Sequence, residues 1–229
     1  IMIEAFPEIA PKHVAQFMAI VRSGDYDGTA FHRVIDDFMA QGGDVFALHG
    51  RDSGLPNIEA EFTFRRDPVE MPFNLIGDPT KSKDGYYLGA PMRTQSRFLA
   101  ELNNDGRVES HIPHCQGVVS TARLGNDENS ANAQFFLMRA TSPHLDRQYS
   151  PWGRIVHGQD VVQSIKTGEP VANPDILTKA LVVGDQPEEE RPRVWVQRTD
   201  GPKFQELLAA YEDDQKVCDL PAVPAVVEG

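Results

Sequence analysis

The stretch from Phe31 to Asp44, "FHRVIDDFMAQGGD", decides how this chain is read. It sets one arginine in an apolar run, adds two acids, then gives Phe-Met-Ala-Gln and a glycine pair. Side chains alternate along a strand, so residues of equal parity share a face. If both halves are extended, Arg33, Met39 and Gln41 point the same way, and the Asp36–Asp37 pair makes the turn between them. In a later stretch, "AQFFLM", Gln134, Phe136 and Met138 share parity too. One shallow pocket could therefore be lined by an arginine, a glutamine and several aromatic or thioether side chains. The plainer alternative makes Arg33 an edge cap and leaves Phe38 and Phe136 in a core.

The remaining composition narrows the class. A chain of 229 residues is long enough for one domain with a real core plus an extension. The formal charge of −12 argues against a nucleic-acid binder, which would carry a basic face. No apolar stretch approaches the length of a membrane span. The two cysteines, Cys115 and Cys218, permit one disulfide but not a disulfide framework. The chain opens on Ile1 with "IMIEAF" already reading as a strand, so upstream residues are expected, and whether they include a removed targeting segment stays open at this point.

Outward from the opening stretch, the pattern is mainly β. Strands are expected at "IMIEAF", "FHRVI", "IEAEFTF" (Ile58, Ala60 and Phe62 on one face), "GVVSTARL", "AQFFLMRA", "SPWGRIV", "ALVVG" and "RVWVQR". Two helices are expected. "PKHVAQFMAIVRSG" has Val14, Phe17, Met18 and Val21 at helical spacing, Pro11 in its first turn and Gly24 at its stop. "GQDVVQSIKTG" is a short one between glycines. The order is not a regular βαβ alternation and fits an antiparallel barrel or sandwich with two capping helices. Two segments stand outside it. Residues 67–111 read as a long polar insertion, with Phe98, Leu99 and Leu102 at helical spacing inside it. The C-terminal end reads as a helix, with Phe204, Leu207, Leu208 and Tyr211 on one side, and then an extended tail, "LPAVPAVVEG", punctuated by Pro221 and Pro224. The expected organisation is a 1–200 domain carrying the insertion, followed by a 201–229 helix and tail.

"FHRVIDDFMAQGGD" and "ANAQFFLM" resemble the two signature segments of the cyclophilin peptidyl-prolyl cis-trans isomerases. The order around them, from "APKHVAQF" through "GVVSTA" to "HLDRQYSPWGRIVHGQDVV", resembles that family as well. The likeness covers roughly residues 1–62 and 117–182. It implies a closed eight-stranded antiparallel barrel capped by two α-helices, with the site on its outer face. It implies isomerisation of X–Pro bonds in protein clients, a rotamase and folding-helper role, and no cofactor.

Carried over by position, the resemblance makes Arg33 the catalytic arginine, with Phe38 and Gln41 beside it. Met39, Ala122, Phe136 and Leu145 become the proline pocket and its rim, and His32 supports from the same strand. Three positions depart from the best-known pattern: Arg123 stands where the family has a backbone-binding Asn, His144 where many members have a cyclosporin-contacting Trp, and Tyr149 where a rim His is usual. The hydrophobic pocket is intact, so activity is expected and cyclosporin sensitivity is what these changes put in doubt.

Other chemistry weighs less. His111, His114 and Cys115 in "HIPHC" could hold a metal, but no second ligand cluster accompanies them, and no metal is expected. No G-x-S-x-G elbow supports a serine hydrolase, and the Asn/Asp-rich "LGNDENSANA" lacks EF-hand spacing. The alternative to an enzyme is a binding module docked on a larger envelope assembly, with catalysis incidental. The insertion and the tail are then the expected partner surfaces. The spelling of "NSANAQFF" resembles bacterial members and the insertion exported ones, so periplasm or cell envelope is expected, with cytoplasm as the alternative.

Overall fold

The computed structural model describes residues 1–78, 82–209 and 216–228. The first strand, β1 (Met2–Ala5), leads into α1 (Pro11–Ser23). Pro11 opens that helix, where its missing N–H costs nothing. Gly24 closes it in the left-handed conformation at φ 77°, its N–H donating to the Val21 carbonyl. The quoted stretch forms the hairpin β2 (Arg33–Ile35) and β3 (Met39–Gly42), followed by the short α2 (Val45–His49). Its second glycine is required. Gly43 has φ +76°, and a Cβ there would lie 2.8 Å from the Phe135 ring and 2.9 Å from Tyr26.

After β4 (Phe64–Arg66), which pairs with it, the insertion holds β5 (Asn74–Leu75), β6 (Asp84–Tyr87), β7 (Ala90–Thr94), α3 (Phe98–Leu102) and β8 (Val108–His111). Then come β9 (Val118–Thr121), β10 (Phe135–Met138), β11 (Pro151–His157) and α4 (Gln159–Ser164). The chain ends with β12 (Arg193–Val196), α5 (Pro202–Leu208) and β13 (Ala225–Glu228).

Six of these strands form one antiparallel sheet in the order β1-β11-β9-β10-β3-β2. Along its central strands residues alternate between two cores. Val34, Ala40, Val119, Phe135 and Leu137 face Val14, Phe17 and Ile20 of α1 and Val162 of α4. Met39, Val118, Phe136 and Met138 face the other way. Among the described residues this sheet is open, with β1 and β2 as its edges, so the strands do not form the expected closed barrel. Two expected strands are also missing. "IEAEFTF" makes only a bridge from Ile58 to Ala131 before β4 begins at Phe64. "ALVVG" runs into a 3-10 turn at Val183–Asp185, with Leu181 exposed.

The insertion is not the polar excursion its composition implies. It folds into a five-stranded sheet, β4-β8-β7-β6-β5. Its buried residues are Ile76, Tyr86, Ala90, Met92, Val108 and Ile112, while Phe98 and Leu102 of the five-residue α3 stay exposed. Ile76, Tyr86, Met92 and Ile112 belong to the same continuous cluster as Met39, Phe136 and Leu145, so the insertion and the six-stranded sheet share one core.

The tail is likewise bound to its own chain and does not wait for a partner's groove. Phe204, Leu208, Val217, Leu220 and Val223 are buried in that cluster, and Cys218 is disulfide-bonded to Cys115 across 103 residues. Beyond Pro224, β13 pairs with β12. Tyr211, expected beside Phe204 and Leu208, lies outside the described residues.

Candidate active site

The geometry begins with register. Across the hairpin, Arg33 pairs with Gln41 and Ile35 with Met39. Asp37 makes the turn at φ 53°, a left-handed conformation that Asp tolerates better than most residues. Across the next pair, Gln41 faces Phe136 and Met39 faces Met138, and Phe136 in turn pairs with Ser120 on β9. Cross-strand partners share a face, so Arg33, Gln41, Phe136 and Ser120 form one row across four strands. Met39 and Phe136 are buried, and Phe38, Ala122 and Tyr149 pack against them from partly exposed positions.

The rim comes from a loop. Pro143–Leu145 form one 3-10 turn that delivers buried Leu145 to the cluster and leaves His144 exposed. The His144 ring lies 5.5 Å from that of Phe38. Tyr149 stands edge-on to Phe136, ring centroids 5.6 Å apart. Arg123 lies over the Tyr149 ring at 4.7 Å. Its Nε donates to the Gln148 carbonyl at 2.9 Å and its Nη1 to that of Leu124 at 2.8 Å. Arg123 is thus fixed beside Tyr149, with Nε and Nη1 committed to main-chain carbonyls.

Arg33 is held from two sides. Its Nε donates to Glu169 Oε1 at 2.5 Å, and its Nη1 approaches Gln41 Oε1 at 3.5 Å. Gln41 is itself oriented, since its Nε2 donates to Gln134 Oε1 at 2.8 Å. Nη2 of Arg33 makes no hydrogen bond among the described residues, and about a third of the side chain is exposed (36%). His32 supports this strand through its backbone: its carbonyl accepts from the Val171 N–H at 3.0 Å. Beside Gln41 and Arg123 a cavity of about 460 Å³ opens, lined by Asn57, Asn132 and Gln134 among others.

Beneath the row lies a buried polar chain that the pattern of the sequence does not reveal. His114 Nδ1 meets Asp146 Oδ1 at 3.1 Å, and its Nε2 meets Ser120 Oγ at 2.9 Å. The His114 ring stacks on Phe136 at 6.1 Å. Burial pushes the imidazole pKa down, against the pull of Asp146. Burial alone would raise the Asp146 carboxyl, but bonds from the His114 side chain and backbone carry it below its usual value. The pair is therefore a neutral imidazole donating to a carboxylate, with Nε2 free to accept from the Ser120 hydroxyl. His114 and Cys115 are spent in this way and in the disulfide, which leaves "HIPHC" no metal-binding set.

Comparison with known proteins agrees with this geometry. The model of the cyclophilin type peptidyl-prolyl cis-trans isomerase/CLD family matches residues 1–183. A probable peptidyl-prolyl cis-trans isomerase of Brucella abortus is 35% identical over 190 residues, spanning 81% of this chain and 78% of that protein. The peptidyl-prolyl cis-trans isomerase cyp18 of Streptomyces antibioticus is 31% identical over 194 residues, spanning 80% and 89%. The crystal structure of cyclophilin AquaCyp293 from Hirschia baltica superposes with a TM-score of 0.94 at 51% identity, over 99% of this chain and 86% of that one. The chain belongs to the cyclophilin-type peptidyl-prolyl cis-trans isomerases, has their mainly β fold with helices, and is an isomerase of X–Pro peptide bonds.

Proposed function

We propose that Arg33 carries the isomerisation and that Phe38, Met39, Ala122, Phe136 and Leu145 hold the prolyl ring, with Arg123, His144 and Tyr149 as the rim. The observation that carries this reading is the in-register row Arg33–Gln41–Phe136, which sets a partly free guanidinium beside an apolar floor.

Twisting an X–Pro bond breaks amide resonance, against a barrier of about 18–20 kcal/mol. The prolyl nitrogen becomes pyramidal as it twists and gains a lone pair that the planar ground state lacks. A guanidinium N–H aimed there stabilises the twisted form selectively, which lowers the barrier without covalent chemistry or proton transfer. Arginine suits the task because it stays charged and its fork is rigid. Gln41, held by Gln134, orients that fork.

Turnover of an Ala-Pro peptide tests the assignment. Arg33→Ala should lower kcat/KM by about 10²–10³-fold, the usual loss for one transition-state donor. Near-normal turnover with an unchanged circular dichroism spectrum would remove Arg33 from the role.

Three finer points belong to the same reading. The protein assists folding of proline-containing clients in the periplasm or cell envelope. The Cys115–Cys218 bond supports this, because disulfides persist in oxidising compartments. Finding the protein only in a cytoplasmic fraction would refute it. Two further strands between β1 and β2 would close the six-stranded sheet into the eight-stranded barrel, which a crystal structure would test. Any partner would meet the insertion at exposed Val69, Phe98 and Leu102, since the tail's apolar residues Leu220 and Val223 are buried. Replacing those three residues by serine should then weaken client binding and leave Ala-Pro turnover unchanged.

A further inference from the structure

Glu169 lies 136 residues from Arg33 in sequence, yet its carboxylate takes the arginine's Nε. Its location is built, not incidental. On one side, Gly168 exchanges two backbone bonds with Val34: Val34 N–H to the Gly168 carbonyl at 2.9 Å and Gly168 N–H to the Val34 carbonyl at 2.8 Å. On the other side, Val171 N–H donates to the His32 carbonyl at 3.0 Å, and its side chain is buried in the core under α1. The bonds on either side of Glu169 thus land on the two neighbours of Arg33, His32 and Val34. Gly168 is needed for this approach, because a Cβ there would lie 2.8 Å from the Pro170 carbonyl oxygen.

We propose that Glu169 is a positioning residue for the reaction, an inference that rests on Arg33 being the catalytic group. A guanidinium has two hydrogen-bonding edges in one plane. With Nε occupied by Glu169 and Nη1 beside Gln41 Oε1, the plane is set and Nη2 remains for the prolyl nitrogen. A long arginine side chain without this restraint samples several rotamers, and each unproductive one reduces the fraction of encounters that react. The cost of disorder falls on kcat, because the apolar residues that hold the ring are untouched. Both partners are substantially exposed, so salt screens the pair.

The test is a kinetic cycle on an Ala-Pro peptide with wild type, Glu169→Ala, Glu169→Gln, Arg33→Ala and the Arg33→Ala/Glu169→Ala double variant. Glu169→Ala should lower kcat about threefold to fivefold, the size of an exposed ion pair, and leave KM nearly unchanged. Glu169→Gln keeps an acceptor oxygen without the charge and should recover part of that loss. In the Arg33→Ala background the second substitution should do nothing further. Raising salt should bring wild type down towards Glu169→Gln. An unchanged kcat in Glu169→Ala would overturn the proposal, and so would a gain, which would make the carboxylate a brake. An equal loss in the presence and absence of Arg33 would also overturn it, by assigning the effect to folding of the 168–171 segment. Persistence of activity in Arg33→Ala would instead break the reading of Arg33 itself.

Discussion

Arg33 and Arg66 stand on strands in two different sheets and end in opposite states. Arg66 is 6% exposed, its guanidinium 3.6 Å over the Phe73 ring. Its Nε donates to Ser110 Oγ, its Nη1 to the Met71 carbonyl and its Nη2 to Thr94 Oγ1. Burial pulls its pKa down to about 10, against the charge of Asp67. Every nitrogen is used, so this arginine ties β4, β7 and β8 together and has nothing to offer a substrate. Arg33 opens on a groove with one terminal nitrogen unengaged. The difference teaches that an arginine can be spent on holding strands together or left with a donor free, and that only the second kind can serve the role proposed for Arg33.

The largest expected effects are a crossed pair. Arg33→Ala should remove about 3–4 kcal/mol of transition-state stabilisation, read as kcat/KM, with the urea midpoint unmoved. Arg66→Ala should do the reverse. It leaves Ser110 Oγ and the Met71 carbonyl without their donor, while Thr94 Oγ1 still accepts from Ser110, and this costs about 2–3 kcal/mol in urea unfolding, while kcat of the folded protein stays normal. If Arg66→Ala cut kcat of a fully folded sample, the two regions would not be separable in this way.

A smaller effect sharpens the comparison by pH. Burial lowers the pKa of both His111, on the insertion sheet, and His114, under the groove. A histidine whose folded pKa lies below its unfolded value of 6.5 leaves the native state with fewer protons than the unfolded one. Stability should therefore be flat above neutral pH and fall as pH drops below about 6.5. The lowered Asp146 carboxyl adds a further loss at lower pH, below its unfolded value of 3.8. Urea midpoints measured from pH 8 to 5 should show the first decline, and His114→Gln should reduce it. A decline of unchanged size in that variant would assign it to His111 on the other sheet.

The smallest effect concerns the rim. His144→Trp enlarges the ring that packs 5.5 Å from Phe38 and restores an indole N–H at a largely exposed position. Cyclosporin inhibition should tighten in that variant, with Ala-Pro kcat within about twofold of wild type. Tight inhibition of the unaltered protein would show that His144 already serves.

Much of the groove was legible because a strand's period of two is local. Parity alone groups Arg33, Met39 and Gln41, and the long-range pairing of β3 with β10 then adds Phe136. The stops were legible as well, since Gly24 and Gly43 both take positive φ where the chain must turn. Glu169 was not legible. It sits in "TGEP", where Gly and Pro read only as a turn, and nothing local says which strand that turn lies against.

The sequence by itself determined the first helix and which residues of the β2–β3 stretch share the face of Arg33, because each depends on neighbours a few positions away. Only the tertiary structure decided that the insertion is a sheet, that Val217, Leu220 and Val223 complete its core, and that Cys115 meets Cys218 across 103 residues. Burial by partners distant in the chain settles such questions. It leaves helically spaced Phe98 and Leu102 in solvent and buries Ile76, Met92 and Ile112, which a composition rich in Gly, Pro and Asp had concealed.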